Sequence, residues 1–214
     1  MAGGVIREGT VSTTYFGHAS LMIKGRSKII YVDPYVLPSS TVKADIILIT
    51  HEHHDHCTNV EKLVKGSTVI IGPKSVADKL KDTAEVQIID ENGRTEVDDV
   101  VIEGFPSYNI GKPYHPQGSG IGFIVNIEGV RIYIAGDTDR IPEMDNLENI
   151  DIAFVPIGGT YTMDSEAAAD AVTSFKPKKA VPIHYNYLPG LEANPVEFQT
   201  MVEAIDSNID VVII

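Results

Sequence analysis

His51-Glu52-His53-His54-Asp55-His56 gathers four imidazoles and two carboxylates into six consecutive residues, directly after the apolar run Ile46-Ile47-Leu48-Ile49-Thr50. A β-branched apolar run of that length reads as a buried strand. Thr58, followed three residues later by Glu61, reads as a capping box for a short helix carrying Val60, Leu63 and Val64. The hexapeptide therefore sits on a tight strand-to-helix loop, whose side chains are held by the rigid elements on either side. Neutral imidazole suits zinc and other divalent first-row metals, and a carboxylate adds a harder, anionic ligand. A solvated His-rich loop or an expression tag would share the composition. A tag, however, does not lie inside a chain between a buried strand and a helix. The stretch reads as a metal-binding loop.

Working outward, 214 residues are enough for one domain, 1–214, with a large core. A hydrophobic content of 43% and a mean hydropathy near zero describe an ordinary globule. No apolar run approaches the roughly 20 residues of a membrane span. Met1-Ala2-Gly3-Gly4 lacks the basic region and apolar core of a signal peptide. The single cysteine, Cys57, excludes an intrachain disulfide and fits a reducing compartment, so a cytoplasmic location is expected. A formal charge of −13 argues against nucleic acid as a partner and leaves a small molecule.

The N-terminal part reads as strands Val11 to Phe16, Leu21 to Lys24 and Lys28 to Val32, with a turn at Gly25-Arg26. His18 lies between strands, and Asp33 ends one just before Pro34. An acid there is often turn chemistry, but it can also orient a metal-bound histidine. After the His-rich loop come a strand (Thr68 to Ile71), a helix (Lys74 to Leu80), a strand (Val86 to Ile89), a turn at Asn92-Gly93 and a strand (Val100 to Phe105). Pro106 to Gly122 is the longest irregular stretch and includes His115; such loops are often lids or binding loops. Strands Ile121 to Ile127 and Val130 to Ala135 lead to Gly136-Asp137-Thr138, and Ile152 to Pro156 leads to Gly158-Gly159-Thr160-Tyr161-Thr162. A helix capped by Thr162 or Asp164 precedes the strand Ala180 to Ile183, which delivers His184. Asn194-Pro195 opens a last helix with Phe198, Met201, Val202 and Ile205 on its apolar stripe, and Val211 to Ile214 closes the chain as a strand. Each half is strand-rich early and ends in helix–strand alternation, which suggests two similar layers packed together.

The 51–56 loop, Asp137 and His184 thus arrive at strand ends with enough donors for two adjacent divalent ions. With these residues the sequence resembles the metallo-β-lactamase superfamily, whose His-x-His-x-Asp-His signature is matched by His51 to His56. Phe16-Gly17-His18-Ala19-Ser20, Val32-Asp33-Pro34 and Val155 to Met163 resemble its branch of ascorbate-6-phosphate-lactonase-like and N-acyl-phosphatidylethanolamine phospholipase-like hydrolases. The resemblance covers nearly the whole chain. It implies an α/β fold of four layers, an αβ/βα sandwich of two mixed sheets flanked by helices. It also implies that His51 and His53 hold a first ion, that Asp55, His56 and His184 hold a second, and that Asp137 bridges them. Zinc is the foremost candidate, with manganese or iron as alternatives. His54 falls at a variable position of the signature.

One departure stands out. The family's third first-site histidine is expected just after the Val100 to Phe105 strand, where this chain has Ser107-Tyr108-Asn109. Either His115 swings in from the same loop, or the first site has two histidines and Asp137. The implied activity is a metal-dependent hydrolase that uses a water activated between two metals on an ester, lactone, amide or phosphodiester. Asp55 and His18 are the candidate catalytic groups, and Tyr161, Thr162 and Tyr185 the candidate substrate contacts. The helix beginning near Thr162 would direct its positive end toward an anionic substrate. An iron-dependent redox enzyme of the same fold and a binding module that keeps its metals without turnover are the competing readings.

Overall fold

The computed structural model describes residues 4–214; Met1, Ala2 and Gly3, part of the N-terminal stretch read for a targeting signal, lie outside the described residues. One sheet holds β1 (Gly4–Glu8), β2 (Val11–Gly17), β3 (Ser20–Lys24), β4 (Ile29–Val32), β5 (Ile46–Leu48), β6 (Val69–Gly72) and β7 (Val86–Ile88), side by side in that order. The second holds β8 (Arg94–Val97), β9 (Val100–Ser107), β10 (Gly120–Ile127), β11 (Val130–Ile134), β12 (Ile152–Pro156), β13 (Lys179–Ile183) and β14 (Asp210–Val211), again in sequence order. In each sheet the first four strands are antiparallel and the remaining pairings parallel. Antiparallel neighbours need only tight turns, whereas parallel neighbours need crossovers. The crossovers carry α1 (Val60–Leu63), α2 (Lys74–Leu80), α3 (Ser165–Phe175) and α4 (Pro195–Ile205).

The apolar run of β5 shows why the layers form. Ile46 and Leu48 join a core between the sheets that includes Leu21, Phe123, Val125, Ile132 and Phe154. Ile47 and Ile49 face the other way, onto Val60, Leu63 and Val76 of α1 and α2. A strand buried on both faces must be apolar at every position. On the second sheet, Tyr133, Ala153 and Val155 meet Ala168, Val172, Phe198 and Val202 of α3 and α4. The result is the expected helix–sheet–sheet–helix sandwich. No helix of the described residues is long and apolar enough to cross a membrane.

Several local expectations are corrected. The capping box does not form: Asn59 occupies the cap of α1 at φ 59°, and the Thr58 hydroxyl donates instead to the His54 carbonyl. Asn59 is held by its amide, which donates to the carbonyls of Pro34 (3.1 Å) and Tyr35 (2.9 Å). Of the two candidate caps for α3, Asp164 serves, accepting from the Ala167 amide at 2.9 Å. On α4, Phe198 and Val202 are buried, but Met201 lies toward solvent and Ile205 is 65% exposed, because the helix turns that side away from α3. The final ladder ends at Val211, although the Val212 amide still donates to Ala180 O at 2.9 Å. β9 runs on to Ser107, confining the irregular loop to residues 108–119. β1 and β8 went unread because their residues are mostly polar or half-exposed.

The Asn92-Gly93 turn carries the chain from one sheet to the other and is tied to β9, with the Asn92 amide donating to Gly104 O (3.0 Å) and the Gly104 amide donating to Gly93 O (2.9 Å). A Cβ at Gly104 would run into the Asp90 carbonyl oxygen, which is backbone and cannot swing aside. Gly104→Ala is therefore expected to destabilise the fold by about 2–3 kcal/mol in urea denaturation, as overpacking does. Gly66→Ala, where nothing lies within 4 Å of the added methyl, should stay within about 0.5 kcal/mol of the wild type.

Candidate metal centre

All the donors meet at one edge of the sandwich. The turn between β2 and β3 carries His18, the end of β4 carries Asp33, and the loop after β5 carries Thr50 to His56. The second sheet contributes Asp137 after β11 and His184 after β13, and the 108–119 loop brings His115. The two halves are stitched here by main-chain hydrogen bonds, from Ile121 N to Thr50 O at 2.9 Å and from His184 N to His18 O at 2.7 Å.

Asp33 is 0% exposed, and its carboxylate organises the first half of the cluster. It accepts from Thr50 N (2.8 Å), from Thr50 Oγ1 (2.7 Å) and from His56 Nδ1 (2.8 Å). A carboxylate only accepts, so His56 carries a proton on Nδ1 and turns Nε2 to the cluster. The Thr50 hydroxyl spends its proton on Asp33 and therefore accepts from His51 Nδ1 at 3.0 Å. His51 Nε2 is thereby left as a free lone pair. His51 Nε2, His56 Nε2, His184 Nε2 and Asp137 Oδ1 are buried without a hydrogen-bond partner. Orphaned buried acceptors are rare and costly, and a set of them converging on one spot suits a bound cation.

The departure at Asn109 has a clear geometry. Asn109 Oδ1 accepts from His115 N (3.0 Å) and His115 Nδ1 (3.1 Å), while its Nδ2 donates to Tyr161 O (2.9 Å). His115 Nδ1 faces only oxygen acceptors, so the proton sits there and Nε2 points inward, 3.2 Å from His53 Nδ1 and 3.4 Å from Asp137 Oδ2. His115, not Asn109, joins the cluster. Three donor groups could each hold an ion: His51, His53 and His115; His18, Asp55, His56 and His184; and His51, His56 and Asp137.

Asp137 lies between them, 3.1 Å from His184 Nε2 and 3.4 Å from His56 Nε2. Burial alone would raise its pKa, but His184 and His56 together hold the carboxyl well below the usual range. Burial likewise disfavours charge on His56, yet Asp137 and Asp33 overcome it and push the imidazole well above its ordinary value. Burial lowers His51, His115 and His18. Asp55 is held low against its own burial by His18, whose Nε2 is 2.8 Å from Asp55 Oδ2. His18 also packs on His184, with ring centroids 4.0 Å apart.

A cleft of about 610 Å³ opens over the cluster, lined by Asp55, His53, His115 and Asp137 at its base. Tyr161 lines it as expected. Thr162 does not: it is fully buried, and its carbonyl accepts from Lys112 Nζ at 2.7 Å. Tyr185 packs against the helix-side core of the second sheet instead. His54 is exposed and lines the cleft, and Tyr35, Pro113, Tyr114 and Leu188 complete the wall. The sequence marked none of these last four, although Tyr114 directly precedes His115. The positive end of α3 is already matched by the Asp164 cap and by Glu166 in its first turn, so an anionic substrate gains little there.

The beta-lactamase superfamily domain matches residues 12–184. A UPF0173 metal-dependent hydrolase of Thermococcus onnurineus is 37% identical over 207 residues, covering 90% of this chain and 92% of that protein. One from Archaeoglobus fulgidus is 31% identical over 219 residues, covering 94% of each. Among solved structures, one from Parabacteroides distasonis superposes with a TM-score of 0.87 at 35% identity, covering 99% of this chain and 97% of that one. Igni18, a metallo hydrolase from Ignicoccus hospitalis, gives 0.83 at 28% identity, covering 96% and 95%. On the family match and these relatives, the chain belongs to the beta-lactamase superfamily and, within it, to the UPF0173 metal-dependent hydrolases.

Proposed function

We propose that this protein is a hydrolase of small molecules that works with two divalent ions, one held by His51, His53 and His115, the other by Asp55, His56 and His184, with Asp137 shared. The observation that carries the reading is the set of buried, unpartnered nitrogens and the Asp137 oxygen that converge beneath the cleft. An imidazole-rich set suits zinc first, then manganese or iron. Bound ions would supply Lewis acidity and a water acidified to near neutral pH. The bond cleaved would be an ester, lactone, amide or phosphodiester.

The remaining roles follow from the chain's own groups. Asp55 borders the cleft and is partly open to it, so it can take a proton from the attacking water and return it to the leaving group. His18 keeps one Asp55 oxygen fixed at 2.8 Å, which makes it a positioning residue for that carboxylate. Asp33 and Thr50 orient His56 and His51, and Asn109 orients His115.

His51→Ala and His184→Ala are each expected to cut turnover at least about 10³-fold, more than the roughly 10–100-fold typical of losing a group that merely supports a ligand. Metal content by elemental analysis should fall in parallel; full activity in either variant would remove it from the donor set. Asn109→Ala leaves His115 free to rotate and should weaken metal affinity about 10–100-fold while circular dichroism stays unchanged. Asn109→His should not tighten binding, since His115 already fills the position. Metal removal by a chelator should abolish turnover with the fold retained; recovery of redox chemistry with iron, without hydrolysis, would favour the oxidoreductase alternative.

A further inference from the structure

Resting on the hydrolase reading above, we propose that the cleft takes an uncharged acyl compound, an ester or lactone whose non-reacting part is a ring or similar flat apolar group, and not a substrate with an anionic handle. Away from the donor cluster the wall is made by Tyr35, His54, Pro113, Tyr114, Tyr161 and Leu188, and among the described residues no lysine or arginine lines it. Recognition of a phosphate or carboxylate normally uses Arg or Lys. The lysine on the same loop, Lys112, is committed elsewhere: its Nζ reaches Asp139 Oδ1 (2.7 Å), Gly159 O (3.0 Å) and Thr162 O (2.7 Å). A distal anionic group entering the cleft would lose its hydration without gaining the fixed charge of a lysine or arginine.

The rings have room to receive a partner. Tyr114 meets Tyr161 edge to face, with centroids 4.7 Å apart and planes at 79°, yet remains 43% exposed. Tyr35 makes a second such pair with Tyr187, at 5.9 Å and 75°, and Tyr187 is 47% exposed. Tyr35, Tyr114 and Tyr161 in the wall of a cleft of about 610 Å³ match the size and lining of a small-molecule site. In the reaction the water oxygen joins the acyl carbon, the acyl–alkoxy bond breaks, and one water proton ends on the departing alkoxide. The products are an alcohol and a carboxylic acid. The acid ionises at neutral pH, and a wall without lysine or arginine offers its charge no fixed partner.

The test uses para-nitrophenyl esters with one leaving group and different acyl parts, on the metal-loaded protein. Para-nitrophenyl phenylacetate should exceed the mono-glutarate ester and bis-para-nitrophenyl phosphate in kcat/KM by about tenfold or more, the upper scale of one aromatic contact. Tyr114→Lys, which places a cation in the wall, should shift the phenylacetate-to-glutarate ratio toward glutarate by a similar factor. Wild-type preference for the glutarate ester or the phosphate, or an unchanged ratio in Tyr114→Lys, overturns the proposal. A binding arm separates it from the hydrolase reading: phenylacetamide should bind more tightly by calorimetry than its para-carboxylated form. If no ester or phosphate is turned over, the ester and phosphodiester parts of the hydrolase reading fail, and the calorimetric order alone decides the substrate class; tighter binding of the carboxylated amide overturns it.

Discussion

A single buried carboxylate governs the geometry of the centre. Asp33 has no water to hydrate it, so all of its stabilisation comes from the Thr50 amide, the Thr50 hydroxyl and the His56 ring. Satisfying that charge fixes where the protons go: His56 must donate from Nδ1, and Thr50 must donate to Asp33 and so accept from His51. Two imidazoles are therefore oriented by a group that touches neither the cleft nor the other carboxylates. The cost of burying Asp33 is offset only when all three donors are in place, which couples the end of β4 to the loop after β5.

The second constraint is the seam between the sheets. Ile121 N to Thr50 O and His184 N to His18 O join backbone that the strand ladders leave unpaired. Three residues at this edge hold left-handed backbone: His18 at φ 54°, Asp33 at 43° and His184 at 57°. Such conformations cost about 1–3 kcal/mol each without glycine and persist where the surroundings over-determine them. Here the surroundings are the cross-sheet hydrogen bonds and the Asp33 network, so local strain is sustained by the core that locks the sheets together.

Much of this was legible in the sequence, and the exceptions share a cause. The hexapeptide could be read because its chemistry is local to one loop bounded by an unmistakable strand, and the run Ile46 to Ile49 declared burial on both faces. The loop from Tyr108 to Ser119 could not be resolved between Asn109 and His115. Its path depends on one backbone hydrogen bond, Asn109 N to His115 O at 2.7 Å, that no periodicity signals. Tyr185 adjoins His184 yet packs on the helix side of the second sheet, because positive φ at His184 and Asn186 breaks the strand alternation. The capping box failed because α1 is capped one residue later than the pattern places it, at Asn59, whose left-handed backbone is held by its links to Pro34 and Tyr35. In each case a tertiary contact overrode a sound local rule.

The matching order of the two sheets has a further meaning. Each is four antiparallel strands followed by parallel strands with helical crossovers, so β4 corresponds to β11 and β5 to β12. By that correspondence Asp33 and Asp137 are counterparts, each following the fourth strand of its sheet, yet one anchors histidines from behind while the other faces the cluster. The loop after β5 carries the histidines, whereas its counterpart after β12 carries Tyr161 and builds the wall. The molecule is thus organised as a tethered pair of halves whose equivalent loops have divided the labour of donor and wall. Its chemistry is housed at what is, in effect, an internal subunit interface: neither half alone holds a full donor set, and each would expose the apolar face that the other covers.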